Sequence, residues 1–175
     1  MAINISRANR NLAIFVGACL LFCLLLYGHW ISSPLIGVGA EKLEQDAREN
    51  CYIAETWQMI ESTSSDGNFV AMLFYDFAQT DYTLVTYRKT DEPFHFGYFC
   101  CGVASGVVET CSFNFNGDYV TVYSLNPSDI AKLEVKKMDE TLTFQLDSEK
   151  PFVVIIHKDY ESITLYDSTQ NEILW

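Results

Sequence analysis

Residues 112–124 read SFNFNGDYVTVYS: two short runs in which apolar and polar side chains alternate, meeting at Asn116-Gly117. Alternation with a period of two is the signature of a strand with one buried face. Asn-Gly is the strongest short-range hairpin signal, because a type I′ turn needs positive φ at both central residues. The spacing therefore predicts an antiparallel pair closed at Asn116-Gly117.

The same texture extends in both directions. Short apolar or alternating runs occupy 52–60, 69–77, 82–89, 94–100, 107–115, 119–125, 130–136, 141–146, 152–157, 162–166 and 173–175. The breaks between them are rich in turn-forming residues, as at Ser65-Asp66-Gly67-Asn68, Asn126-Pro127-Ser128 and Ser148-Glu149-Lys150-Pro151. Ala131, Leu133 and Val135 oppose Lys132, Glu134 and Lys136, and Leu142, Phe144 and Leu146 oppose Thr141, Thr143 and Gln145, so these are expected to be half-exposed strands. By contrast FVAMLFYDF (69–77) and FVVII (152–156) are apolar on both faces, as befits strands covered on both sides. The expected fold is an all-β domain, an antiparallel β-sandwich, with a small closed barrel as the alternative.

Upstream the chain changes character. Residues 12–27, LAIFVGACLLFCLLLY, contain no polar side chain apart from the tyrosine hydroxyl, and the apolar stretch runs on to Ile31. Twenty helical residues rise about 30 Å, the thickness of a bilayer hydrocarbon core. Arg7 and Arg10 are the only charged residues before Glu41, which leaves nine of the 11 basic residues and all 23 acidic residues at or beyond it. The positive-inside bias puts the N-terminus in the cytoplasm and the rest outside, with Tyr27 and Trp30 at the outer interface and Cys19 and Cys23 packing within the membrane. The alternative is a secretory signal cleaved near Ala40, where Val38-Gly39-Ala40 supplies small residues. Either way the β-domain is exported. The expected organisation is a cytoplasmic stub over 1–11, a signal-anchor helix over 12–31, a polar tether over 32–50 and the β-domain over 51–175. Within the tether EKLEQDAREN (41–50) can form a short helix whose apolar stripe is Leu43 and Ala47, and little burial is expected there.

Charge and composition exclude some functions. With a net charge of −12, the chain lacks the basic face that a phosphate-tracking nucleic-acid binder needs. Hydrophobic residues at 49% and aromatics at 14% exclude intrinsic disorder. Asn126-Pro127-Ser128 is blocked as a glycosylation sequon by its proline.

Four cysteines fall in the exported part: Cys51, Cys100, Cys101 and Cys111. An exported location favours disulfides over reactive thiols or a metal site, since paired Cys-x₂₋₄-Cys spacings are missing and adjacent strand residues face opposite ways. A two-residue turn at Ser105-Gly106 would set Cys100 opposite Cys111, and a longer loop would favour Cys101 instead.

Catalytic signals are sparse. His29 sits at the membrane edge, so a Ser-His-Asp system would have to use His95 or His157, and no nucleophile motif accompanies either. Asp76 with Asp81, and the acidic turn at 167–172, read as turn-capping carboxylates rather than an acid–base pair or a calcium loop. No metal or other cofactor is expected. Tyr75, Tyr82, Tyr87, Phe94, Phe96 and Tyr98 form an aromatic-rich region that could line a ligand cleft or partner surface. The expected function is non-catalytic: an acidic β-sandwich displayed outside the membrane, for binding or as an accessory to a protein complex of the envelope. The alternatives are a carrier of small hydrophobic ligands with an aromatic-lined barrel cavity and, third, a hydrolase.

Overall fold

The computed structural model describes residues 7–32, 36–90, 92, 95–107 and 110–174, with the side chains of helix α1 described over 14–28. The described residues fall into two units.

The first unit contains α1 (Arg7–Ser32) and a parallel bridge between Ile36 and Phe96. The Gly37 amide donates to the Phe96 carbonyl at 2.6 Å. Ile14, Phe15, Val16, Leu20, Leu21, Phe22, Leu24, Leu25, Leu26 and Tyr27 are all exposed, between 48% and 67%. Among the described residues no helix is long and apolar enough to cross a membrane. The side chains of His29 and Trp30 lie outside the described residues.

The second unit begins at Val38 and is predominantly β. After a 3-10 turn (Ala40–Lys42) and helix α2 (Leu43–Asn50) come, among the described residues, eleven strands: β1 (Gln58–Thr63), β2 (Phe69–Tyr75), β3 (Tyr82–Lys89), β4 (Tyr98–Gly106), β5 (Ser112–Asn116), β6 (Tyr119–Ser124), β7 (Ile130–Lys136), β8 (Thr141–Gln145), β9 (Phe152–His157), β10 (Ser162–Asp167) and β11 (Glu172–Ile173). They form three open antiparallel sheets, in the orders β1-β2-β3-β4, β5-β6-β9 and β11-β10-β7-β8. Among the described residues no barrel closes.

Side-chain alternation stacks these sheets. Phe69, Ala71, Leu73 and Tyr75 of β2 pack with Tyr119 and Tyr123 of β6 and Val153 of β9, joining the first sheet to the second. The opposite faces of β6 and β9, through Val120, Val122, Phe152, Val154 and Ile156, pack on Leu133 and Val135 of β7 and Ile163 and Leu165 of β10 in the third. The outer face of the first sheet, through Val70, Met72, Phe74, Val85 and Tyr87, is covered by Leu43 and Ala47 of α2. The layers therefore run α2, first sheet, second sheet, third sheet. β2 and β9 are covered on both faces, as their two-sided apolarity predicts, while β7 and β8 keep one polar face. Full burial of each large apolar side chain stabilises the stack by about 1.5–3 kcal/mol.

Three expectations change. Leu43 is 2% and Ala47 0% exposed, so 41–50 is part of the packed unit rather than a tether with little burial. Arg48 explains how so polar a helix is held: its guanidinium donates to the carbonyls of Ala54 and Trp57, pairs with Glu44 and sits 4.9 Å over the Phe74 ring.

The β5–β6 hairpin is present, but Asn116 pairs with Tyr119, making Gly117 and Asp118 the central residues. Positive φ occurs at Gly117 (57°) and not at Asp118, the pattern of a type II′ turn with glycine leading.

In β7 the buried set is Ile130, Leu133 and Val135. Ala131 is set aside by the register shift that pairs Asp167 with Ile130 and Tyr166 with Lys132.

Candidate functional site

The richest convergence of polar chemistry is an open cleft of about 370 Å³ lined by Ser64, Ser65, Asp66, Tyr119, Lys137, Ile155, His157 and Asp159. Four chain segments build it. The β1–β2 turn contributes Ser64, Ser65 and Asp66, the start of β6 contributes Tyr119, and the end of β9 with the turns after β7 and β9 contributes the rest.

Sheet register sets Tyr119 directly opposite His157, with their rings edge-on at 5.7 Å. On its other side Tyr119 stacks on Phe69 at 5.0 Å, which aims its hydroxyl at Asp66. That hydroxyl donates to Asp66 Oδ2 at 2.6 Å. The same carboxylate accepts from the Ser64 hydroxyl at 2.5 Å, from the Asn68 amide at 3.1 Å and from the Asn68 side chain at 3.0 Å. These donors, Ser64 foremost and then Tyr119, hold the Asp66 carboxyl well below the usual carboxylate range. Burial, followed by the hydrogen bond to Asp66, pushes the Tyr119 hydroxyl up.

Asp159 sits between two bases, Lys137 Nζ at 3.0 Å and His157 Nδ1 at 3.2 Å. The hydrogen bond from Lys137 is the largest of the influences that lower its pKa. His157 and Asp159 thus supply two members of a hydrolytic triad. Ser64 is not the third: its Oγ donates to Asp66 and accepts the Phe69 amide at 2.9 Å. Both carboxylates are already engaged by protein donors, so the cleft presents a fixed pattern of charge, suited to recognition by shape and charge. His95, the other histidine considered, belongs to the first unit, where its Nδ1 lies 3.5 Å from Glu92 Oε2.

A second concavity, about 600 Å³, runs along α2 and is lined by Glu41, Glu44, Gln45, Arg48, Glu49, Ile53 and Glu55. Four carboxylates against one guanidinium make it strongly acidic.

The aromatic candidates divide. Tyr75 and Tyr82 are buried between the first and second sheets, where the Tyr82 hydroxyl lies 3.3 Å from that of Tyr123. Tyr87 and Tyr98 are buried beneath α2. Phe96 is exposed and lies in the first unit, and Phe94 lies outside the described residues. Four of the six therefore fill core layers.

Asp76 caps the β2–β3 turn, accepting the amides of Thr80 at 2.7 Å and Asp81 at 3.0 Å. Asp167 does the same in its own turn, accepting the amides of Thr169 and Asn171. Among the described residues no cluster of His, Cys, Asp and Glu could hold a metal ion.

The cysteines carry free thiols. Cys100 does not face Cys111: β4 continues through Ser105 and Gly106 and pairs with β3, while Cys111 precedes β5 of the second sheet. Cys101 turns its Sγ to the Thr86 carbonyl at 3.4 Å, and Cys111 to the Tyr123 carbonyl at 3.6 Å. Burial pushes the Cys111 thiol up to about 12.

Sequence patterns did not announce the cleft, because its parts meet only through long-range pairing, 53 residues separating Asp66 from Tyr119. Known protein families, curated proteins and solved structures contain no match to this chain, and every role discussed above rests on its own residues.

Proposed function

We propose that the chain is a single-pass membrane protein, N-terminus inside, whose acidic β unit acts outside the membrane as a non-catalytic binding module for a basic protein partner in the envelope. The observation that carries this reading is the apolar surface of α1. From Ile14 to Tyr27 its large side chains are exposed in succession, and such a surface calls for an apolar medium or an apolar partner to cover it. Its flanks support the orientation, with Arg7 and Arg10 before the run and no basic residue after it until Lys42. On the outer side the acidic concavity along α2 supplies the field that attracts a cationic surface and raises its association rate.

Reconstitution of the full chain into liposomes, with tags at both ends, tests the reading. External protease is expected to digest the C-terminal tag when the β unit faces outward and to spare the N-terminal one. Loss of the N-terminal segment on expression, releasing a soluble chain beginning near Glu41, would replace the anchor by a cleaved signal. For binding, a lysine-rich peptide is expected to bind the liposome-held protein with an affinity that falls steeply with salt. The Glu41, Glu49 and Glu55→Gln triple variant is expected to lose most of that binding, and an unchanged affinity would overturn the acidic-groove reading.

A further inference from the structure

We propose that Cys51 and Cys100 are a dithiol pair that closes to a disulfide, fastening the end of α2 to the edge strand β4. Cys51 follows α2 directly, and its amide donates to the Ala47 carbonyl at 2.9 Å, which fixes it at the foot of the helix. It packs against the cluster that contains Val85, Tyr87 and Tyr98. Cys100 stands opposite Tyr87 in the β3–β4 ladder and two residues from Tyr98, so it shares their face of the sheet. Asp46 completes the arrangement, because the Tyr87 hydroxyl donates to its Oδ2 at 2.7 Å and so holds α2 over the Tyr87–Cys100 pair. The helix end and the strand thereby bring one thiol each to the same face of the first sheet, the Cys100 Sγ lying 4.0 Å from the Gly102 carbonyl.

The other two thiols of the β unit do not compete. Cys101 is the extra residue where the ladder shifts between Thr86 and Tyr87, and its sulfur is turned to Thr86. Cys111 packs with the core between the second and third sheets. Burial and the Asp46 carboxylate both favour the protonated thiols at Cys51 and Cys100. Closure accordingly depends on a reactive oxidant of the disulfide class, and speeds up as pH rises and the thiolate fraction grows.

The chemistry balances with such a disulfide, RS–SR. The more exposed Cys100, as thiolate, attacks one sulfur of RS–SR and expels RS⁻, giving a mixed disulfide. Cys51, as thiolate, then attacks Cys100 Sγ and expels the second RS⁻. Two cysteine thiols are oxidised by two electrons, the oxidant becomes two RSH, and the two thiol protons end on the two leaving groups. The product ring encloses 52–99, and hence β1, β2 and β3, so the bond restricts the unfolded chain over the part of the fold that α2 covers.

The full chain in detergent is incubated with oxidised and reduced glutathione at graded ratios, trapped with an alkylating reagent and mapped by mass spectrometry without reduction. The expected result is a linked pair of peptides containing Cys51 and Cys100, lighter by about 2 Da than the two thiol peptides, together with alkylated Cys111. The Cys101→Ser variant is expected to keep the link, which distinguishes it from its neighbour, and Cys51→Ser to abolish it. The oxidised protein is expected to melt several degrees higher than the reduced one. A link to Cys101 or Cys111 would overturn the proposal, as would alkylation of both Cys51 and Cys100 in folded protein under oxidised glutathione alone. The mapping is read on the unaltered chain, so a variant that misfolds does not obscure it, and a negative result leaves the membrane reading untouched.

Discussion

The Tyr119 hydroxyl reaches across from the second sheet to donate to the Asp66 carboxylate in the β1–β2 turn of the first, at 2.6 Å. Asp66 accepts four hydrogen bonds in all, so a single turn carboxylate organises the turn and locks two sheets together.

An acid dependence follows from Asp66. A carboxyl whose folded pKa is depressed contributes stability that is present above its unfolded value of about 4, and that is lost as pH falls through the folded value. Asp76, Asp147, Asp159 and Asp167 are lowered in the same direction. The melting temperature of the full chain in detergent is therefore expected to be level from neutral pH down to about 5, and to fall steadily below about 4. Asp66→Asn is expected to lower it at pH 7 and to flatten the acid slope. An unchanged slope in that variant would show that Asp66 is not a principal contributor.

Asn126 supports a second junction. It is 6% exposed and has φ of 64°, a conformation asparagine tolerates better than most residues. Its side-chain amide donates to the carbonyls of Ile130, Asp147 and Ser148, and its Oδ1 accepts the Ile130 amide at 2.7 Å. The β6–β7 and β8–β9 turns are thus joined through one residue. Asn126→Ala leaves several buried carbonyls and an amide unpaired and is expected to cost about 2–4 kcal/mol by denaturant unfolding. Asn126→Asp, which turns an oxygen toward carbonyl oxygens, is expected to cost more.

How far the fold was legible depends on the range of the interaction. The strand texture and the double burial of β2 and β9 follow from local pattern, since a run such as FVAMLFY offers apolar side chains to both faces at once. Ser105-Gly106 looked like a turn because serine and glycine favour turns, yet β3 offers a full partner edge and carries β4 through both residues. The division into three sheets, and with it the correct neighbour of Cys100, is a property of long-range pairing that no single segment encodes. The polar cleft was hidden for the same reason, its histidine visible and its companions at Asp66 and Asp159 unremarkable until β6 and β9 meet.

Thr121 is a buried residue without compensation. It is 0% exposed in β6, and its Oγ1 has no hydrogen-bond partner. Valine has nearly the same shape without the hydroxyl, so Thr121→Val is expected to stabilise the unit by about 1 kcal/mol. Thr121→Ser keeps the unpaired hydroxyl and loses a methyl group, and is expected to destabilise by a similar amount. Denaturant midpoints of the two variants measured side by side check the sign, and a destabilised valine variant would mean the hydroxyl is satisfied in solution.

Helix α2 gives the sharpest test of how the first sheet is covered. Its composition is polar, LEQDAREN, and its packing onto Val70, Met72, Phe74 and Tyr87 rests on Leu43 and Ala47, with Arg48 bridging to Ala54 and Trp57. Leu43→Ala removes a fully buried side chain and is expected to cost about 2–4 kcal/mol, in the usual range for a core leucine. Ala47→Glu forces a carboxylate against the sheet and is expected to detach the helix. The readout that separates detachment from global unfolding is hydrogen exchange. With α2 released, amides of 43–51 and of the 52–57 loop held by Arg48 should exchange rapidly, while β6 and β9, shielded between the second sheet's two neighbours, should keep their protection. Gln45, whose side chain donates to Glu49 on the exposed face, serves as the control, and Gln45→Ala is expected to change stability by less than about 0.5 kcal/mol. If Ala47→Glu left exchange in 43–57 unchanged, the outer face of the first sheet would have to be covered by something other than α2.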